Sequence, residues 1–233
     1  MIPSALLLGS IGVLADCSEM QRRAYNLAFR DADLDWVWDR TSYRRLLRRP
    51  GGARRIRDYA RASGDAVDVD ALHRAKRRTF AALVAREGLE PRPGVVVTVS
   101  AARASGVPVA LCSTAHPEQV ATVLHALERW IPQGSFDWVG DADATPRPKP
   151  APDAFDVALR SLRADRRRAL AVEDTPECAQ AAMDAGCRAM GFPGEASADR
   201  DFPSGVLVVD RLRPAVLGLP VDGGSKPRDL AAQ

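Results

Sequence analysis

Cysteine, lysine, histidine and long apolar runs are all scarce in this chain of 233 residues, and each scarcity removes a class of protein. The four cysteines, Cys17, Cys112, Cys178 and Cys187, stand at irregular spacings that form neither a disulfide framework nor paired metal-binding dipeptides. A reduced, cytoplasmic protein is therefore expected. The three histidines, His73, His116 and His125, make no metal-ligand spacing. Net charge is only +3, so the whole-protein field of a nucleic-acid binder is missing. The most apolar stretch, Met1 to Ala15, is too short to span a bilayer. No Lys or Arg precedes it, and Asp16 stands where a secretory cleavage site would need a small residue, so it does not read as a signal peptide. Neither nucleic acid nor membrane is expected as a partner. What remains, 46% apolar and 27% charged residues, is an ordinary globular mixture.

That apolar start resembles a buried parallel strand, Ala5 to Leu8, followed by a glycine-containing loop from Gly9 to Gly12. From Ser18 to about Leu89 apolar residues recur at helical spacing, as in Met20, Ala24, Leu27 and Ala28, and again in Leu72, Ala75, Phe80, Leu83 and Val84. Pro91 and Pro93 with Gly94 close this helical block. Short apolar runs then alternate with helical stretches: Val107 to Cys112, Trp138 and Val139, Ala169 to Val172, Arg188 to Gly191 and Val206 to Val209. Such alternation predicts right-handed βαβ units and an α/β fold, a Rossmann-like doubly wound parallel sheet with an inserted all-helical cap. The expected division is residues 1–15 and 93–220 for the core, 16–92 for the cap and 221–233 for a flexible tail. In such sheets the site lies beyond the carboxyl ends of the strands.

Four strand ends carry polar residues or glycine: Gly9 to Gly12, Ser113 with Thr114, Lys149 to Asp153, and Glu173 with Asp174. Singly they are bland, since a Ser-Thr or an Asp after a strand commonly caps the next helix. Two adjacent carboxylates at a buried strand end are costly without a cation beside them. Lysine makes up three of the 33 basic residues, Lys76, Lys149 and Lys226, so a lysine set among prolines at 149 is notable.

In their order and spacing these stretches resemble the haloacid dehalogenase (HAD) superfamily, in the branch with a helical cap after the first motif. Within it the chain is most similar to the sugar-phosphate phosphatases of Calvin-cycle operons, which act on xylulose bisphosphate. The resemblance rests on Arg22 to Phe29, Leu34 to Asp39, Gly51 and Gly52 with Arg55 and Ile56, Leu72 to Lys76, Arg92 to Gly94, Ser113 and Thr114, Lys149 to Asp153, and Val172 to Asp174 with Ala181, Ala182, Ala185 and Gly186. It implies that Ser113, Thr114 and Lys149 bind the transferring phosphate, that Asp174 and Glu173 hold magnesium, and that Arg55 in the cap holds the substrate's distal phosphate. Phosphoryl transfer needs positioning and charge stabilisation of this kind.

The first motif departs from the family. Where the family carries its nucleophilic aspartate this chain has Gly9, and where it carries the acid/base aspartate it has Ile11. Neither can attack or move a proton. Ser10 lies between them, and strand alternation predicts that it points to the opposite side; Asp16 is expected to begin the linker into the cap. Losing two carboxylates has the same formal effect on pocket charge as binding Mg²⁺, so phosphate is expected to bind with magnesium weak or absent. The cap has also drifted, with Gln21 and Ala53 where the family has histidine and lysine, while Arg48, Arg49 and Arg54 keep the loop basic. The leading expectation is a catalytically silent member that retains a phosphate or sugar-phosphate pocket, as a monomer or weak oligomer. Two alternatives stand beside it: an active Mg-dependent phosphatase with a non-standard first motif, and a structural partner of an intact paralogue.

Overall fold

The computed structural model describes residues 1–220; the segment 221–233, expected as a flexible tail, lies outside them. Six parallel strands form one sheet in the order β3-β2-β1-β4-β5-β6. They are β1 (Leu6–Leu8), β2 (Val109–Cys112), β3 (Trp138–Gly140), β4 (Leu170–Glu173), β5 (Arg188–Gly191) and β6 (Leu207–Val208). The central three, β2, β1 and β4, are buried throughout, as continuous apolar runs covered on both faces require. Alternation sends Leu6 and Leu8 to one face, with Val109, Leu111 and Val172, and Leu7 to the other, with Ala110, Ala171 and Phe155.

After β1 the chain does not form the expected loop. Ser10 takes an extended conformation and its hydroxyl accepts from the Val13 amide, 3.3 Å away, so the short helix α1 (Ile11–Leu14) starts at once. Helices α2 (Ser18–Arg30), α3 (Arg40–Leu47), α4 (Gly52–Ser63) and α5 (Val69–Glu87) follow. The Asp68 carboxylate caps α5, and Gly88 at φ 74° ends it. This block has its own apolar centre, in which Trp38 is fully buried with the rings of Tyr25 and Phe29 each 4.7 Å away. Trp36 also packs here, set edge-on against Phe29.

Helix α6 (Val95–Ala104) is an element the sequence pattern passes over. Its first five residues are Val95, Val96, Val97, Thr98 and Val99, which favour strand by intrinsic preference. Burial of Val95, Val99 and Ala102 against the sheet overrides that preference. The remaining helices, α7 (Pro117–Leu127), α8 (Asp153–Leu162) and α9 (Pro176–Asp184), fall in the helical stretches between the apolar runs.

Because β1 has β2 on one side and β4 on the other, the three strand ends open side by side. Leu8 is in register with Leu111 and with Val172. Continuing that register sets Gly9 level with Cys112 and Glu173, and Ser10 level with Ser113 and Asp174.

Candidate active site at the strand ends

Gly9 receives no side-chain function of its own, and its neighbours have moved into the space. Its amide donates to the Val172 carbonyl at 2.9 Å, continuing the sheet. A Cβ built on Gly9 would land on the carboxyl group of Glu173, and one built on Gly12 would land on the Asp174 carboxylate. The β4 carboxylates therefore lean across to β1 and fill the room that side chains at 9 and 12 would need.

Lys149 closes this arrangement. Its ammonium donates to the Gly9 carbonyl and to Glu173 Oε1, and it sits 4.5 Å from the centre of the Phe155 ring. Lys149 is 5% exposed and Glu173 fully buried. Burial pushes the Glu173 carboxyl up, opposed by the Lys149 charge; the same carboxylate holds Lys149 above its ordinary value in spite of burial. Among the described residues only Oε1 of Glu173 is partnered. Oε2 is buried with no hydrogen bond, an expensive condition for a carboxylate oxygen.

Ser10 corrects the expectation drawn from strand alternation. Its hydroxyl points into the site and donates to Asp174 Oδ1 at 2.9 Å, because the chain has already turned into α1 and Ser10 is a helix cap rather than a strand residue. Enclosure raises the Asp174 carboxyl, opposed by the Ser10 hydrogen bond and the charge of Arg92. Ile11 opens α1 and is 8% exposed, packed into the main core. On the other flank Ser113 is buried and its hydroxyl accepts from the Ala115 amide at 3.1 Å, with Thr114 half-buried beside it. Among the described residues no group of three or more His, Cys, Asp or Glu side chains is placed to hold a metal ion.

Arg55 lies apart from this cluster. It is buried in the helical block, where it donates to the Leu46 and Arg49 carbonyls at 3.1 and 3.4 Å and to the Tyr25 hydroxyl at 3.2 Å, so it fixes the α3–α4 loop. Arg48, Arg49 and Arg54 are exposed. The basic character of the loop therefore resides, on its inner side, in Arg55 alone.

Residue type and spacing give Lys76, His73 and Arg92 no role. Lys76, 3% exposed, donates to Gln21 Oε1 and lies 4.7 Å from the Tyr25 ring centre. Burial, reinforced by Arg55 and Arg77, lowers it from 10.5 to about 7. His73 is lowered to about 4 by burial and by Lys76, Arg77 and His116. Since His116 follows Ser113 and Thr114, this cationic face of α5 looks onto the loop after β2. The scarcity of lysine was the signal that could have marked Lys76. Arg92 spans the return from the helical block, donating to the carbonyls of Gly12, Phe192 and Pro193 at 3.0, 2.8 and 2.6 Å. Asp16 lies between α1 and α2, where it accepts from the Ser18 and Glu195 amides at 3.1 and 2.6 Å.

A parallel sheet whose central strand ends carry Ser113, Lys149 and a Glu173-Asp174 pair, with a helical block inserted after the first strand, defines a class. Residues 9–186 match the family model for haloacid dehalogenase-like hydrolases, and the chain belongs to that family. Its relatives narrow the branch to the CbbY-like sugar-phosphate phosphatases. It is 33% identical over 209 residues to CbbY of Cereibacter sphaeroides, covering 88% of this chain and 91% of that one, and 31% identical to a CBBY-like protein of Arabidopsis thaliana, covering 90% and 69%. A crystal structure of a CbbY mutant from Rhodobacter sphaeroides in complex with xylulose-(1,5)bisphosphate superposes with a TM-score of 0.85 at 32% identity, over 90% of this chain and 95% of that one. CbbY from the same organism in complex with phosphate gives 0.84 at the same identity.

Proposed function

We propose that this chain is a catalytically silent member of the CbbY-like branch that binds a phosphorylated sugar without magnesium. One observation carries the reading: the position of the attacking carboxylate is a glycine whose side-chain space is filled by the Glu173 carboxylate, which Lys149 holds. Attack on phosphorus needs a free nucleophilic oxygen, and protonation of the leaving oxygen needs a titratable group. Gly9 supplies neither, and Ile11 is core.

The residues at hand do not fit the family's magnesium. Glu173 is committed to an ammonium and Asp174 to a hydroxyl, while Gly9 has no side-chain oxygen to offer. Mg²⁺ needs an octahedron of oxygen ligands and is reluctant to dehydrate, so no step is assigned to it. Phosphate recognition falls instead to Ser113, Thr114 and Lys149, with Arg55 and Lys76 as the cationic groups of a cap facing the far end of the sugar. The CbbY complex with xylulose bisphosphate, a ligand with two anionic ends, favours a bisphosphate here. The reading includes a cytoplasmic monomer or weak oligomer with no nucleic-acid or membrane partner. Among the described residues no helix is long and apolar enough to cross a membrane.

The test is a phosphatase assay on a small panel of sugar bisphosphates with magnesium, beside the double variant Gly9→Asp/Ile11→Asp. The expected result is no turnover by the natural chain above a tag-only control. Magnesium-dependent release of phosphate by the natural chain would establish the alternative, an active phosphatase with a non-standard first motif. A chain that shows no turnover and no melting shift with any phosphorylated sugar in chelator would favour the structural-partner reading.

A further inference from the structure

We propose that Glu173 is a built-in competitor for phosphate: its carboxylate occupies the seat vacated at position 9 and holds Lys149, so that an incoming phosphoryl group binds only by displacing it. The inference rests on the phosphate-binding reading above and adds the residue that sets its affinity.

Three features of the site converge on it. The would-be Cβ of Gly9 falls on Glu173 Cδ and on both of its carboxylate oxygens, so the whole carboxyl group, not one atom in passing, lies in that space. Lys149 uses two of its three N–H donors on the carboxylate and the Gly9 carbonyl, so a phosphoryl group can take over its charge only when Glu173 gives way. Glu173 Oε2 is buried without a partner, so the carboxylate is held by one cation and not by a complete set of donors. An anion retained this way is exchangeable. A phosphoryl group that takes over Lys149 brings more oxygen acceptors than the carboxylate it replaces, and the carboxylate gains partners when it swings out. Two anions cannot share the one ammonium cheaply in a site this enclosed. Free phosphate must meet the whole cost of displacement, whereas a ligand with a second anionic end can draw on Arg55 and Lys76. Glu173 thus discriminates against small anions.

The experiment has a ligand-free and a ligand-bound arm. In the first, Gly9→Ala, Glu173→Ala and their double variant are unfolded with urea as a double-mutant cycle. Gly9 has no positive φ, so alanine carries no backbone strain there, and its only penalty is eviction of the carboxylate. The expected result is that Gly9→Ala destabilises the natural chain and is neutral or stabilising in the Glu173→Ala background. Additive effects would overturn the occupancy.

In the second arm, inorganic phosphate is titrated in chelator against the natural chain, Glu173→Gln and Gly9→Ala. Removing or evicting the carboxylate is expected to tighten phosphate binding by about tenfold or more. Equal affinity in all three would overturn the competition and leave the phosphate site intact. Absence of binding in all three, with the cycle coupled, would overturn the phosphate site itself and with it the competitor role. Gly9→Ala retains Glu173 and Lys149 unchanged, so it serves if Glu173→Gln fails to fold.

Discussion

Lys149 and Lys76 are the two buried lysines of the described chain, and their surroundings are opposites. Lys149 at the strand ends is met by a carboxylate and a carbonyl. Lys76 in the helical block is met by a side-chain amide and two aromatic rings, and the charges acting on it are Arg55, Arg77 and the Cys17 thiol, none of them a carboxylate. The core half of the site has become electrically self-sufficient, with its lysine paired inside the protein. In the helical half Arg55 is satisfied by two carbonyls and a hydroxyl, and Lys76 has no anionic partner among the described residues. With Gly9 and Ile11 at the first strand end, the two halves of the site differ in their demand for an anion: Lys149 is paired within the sheet, whereas Lys76 in the helices has no carboxylate beside it among the described residues.

The two lysines should respond in opposite directions to replacement by methionine. Lys149→Met strands the Glu173 charge in the interior and is expected to cost about 3–5 kcal/mol of unfolding free energy, most of it recovered in Lys149→Met/Glu173→Leu. Urea denaturation of the two variants measures this, and a cost below about 1 kcal/mol for the single variant would show that the pair is not buried as described. For the same reason, loss of phosphate binding in a single Lys149 variant is uninterpretable without the double.

Lys76→Met should act the other way. It removes an ammonium with no counter-ion and keeps the stem that packs on Tyr25 and Phe80, so the ligand-free chain is expected to gain about 1–2 kcal/mol at pH 7. A sugar bisphosphate should protect this variant against thermal unfolding less than it protects the natural chain. Destabilisation by Lys76→Met would place an anionic partner beside Lys76 already.

The pH dependence follows from the same group. Burial, with the charges of Arg55 and Arg77, holds Lys76 down at about 7 in the folded chain, against an ordinary 10.5. Below pH 7 both states hold the proton and the penalty of burying it is complete. Between 7 and 10.5 the unfolded chain binds more protons, so stability rises with pH, by up to about 1.4 kcal/mol per unit. The advantage of Lys76→Met over the natural chain should therefore shrink between pH 7 and 9, read as the difference of two urea midpoints.

The smallest expected effect is that of magnesium alone. At millimolar concentration and without phosphate it should leave the melting temperature unchanged. Tight stoichiometric binding by calorimetry would show that Glu173 and Asp174 release their present partners for the ion.

How far the sequence reaches depends on whether a feature is local. The central strands were legible because burial on both faces leaves uninterrupted apolar runs such as Leu6 to Leu8 and Val109 to Cys112. The helical block after the first strand is legible from its period, while the bounds of the separate helices within it are not. Helix α6 was not legible, because Val95 to Val99 is a strand-like run whose conformation is decided by the sheet it packs on. The absences at Gly9 and Ile11 are likewise plain in the sequence once the motif is aligned. Ser10 was misjudged because alternation applies only while the strand continues, and its own hydroxyl ends the strand by capping α1. Arg55 was read as a ligand group, and its three donor contacts to Leu46, Arg49 and Tyr25 show it also builds the loop it stands on.

Residue type and spacing along one chain carry the α/β class, the family and the placing of Gly9 and Ile11 at one strand end. What fills the space beside Gly9 is settled only by folding. Glu173 lies 164 residues from Gly9 in sequence and reaches its seat only because β4 pairs with β1. Lys149 and Lys76 look alike as residues, and only folding gives one a carboxylate and the other none, because pairing of charge is a property of distance in space and not of position in the chain.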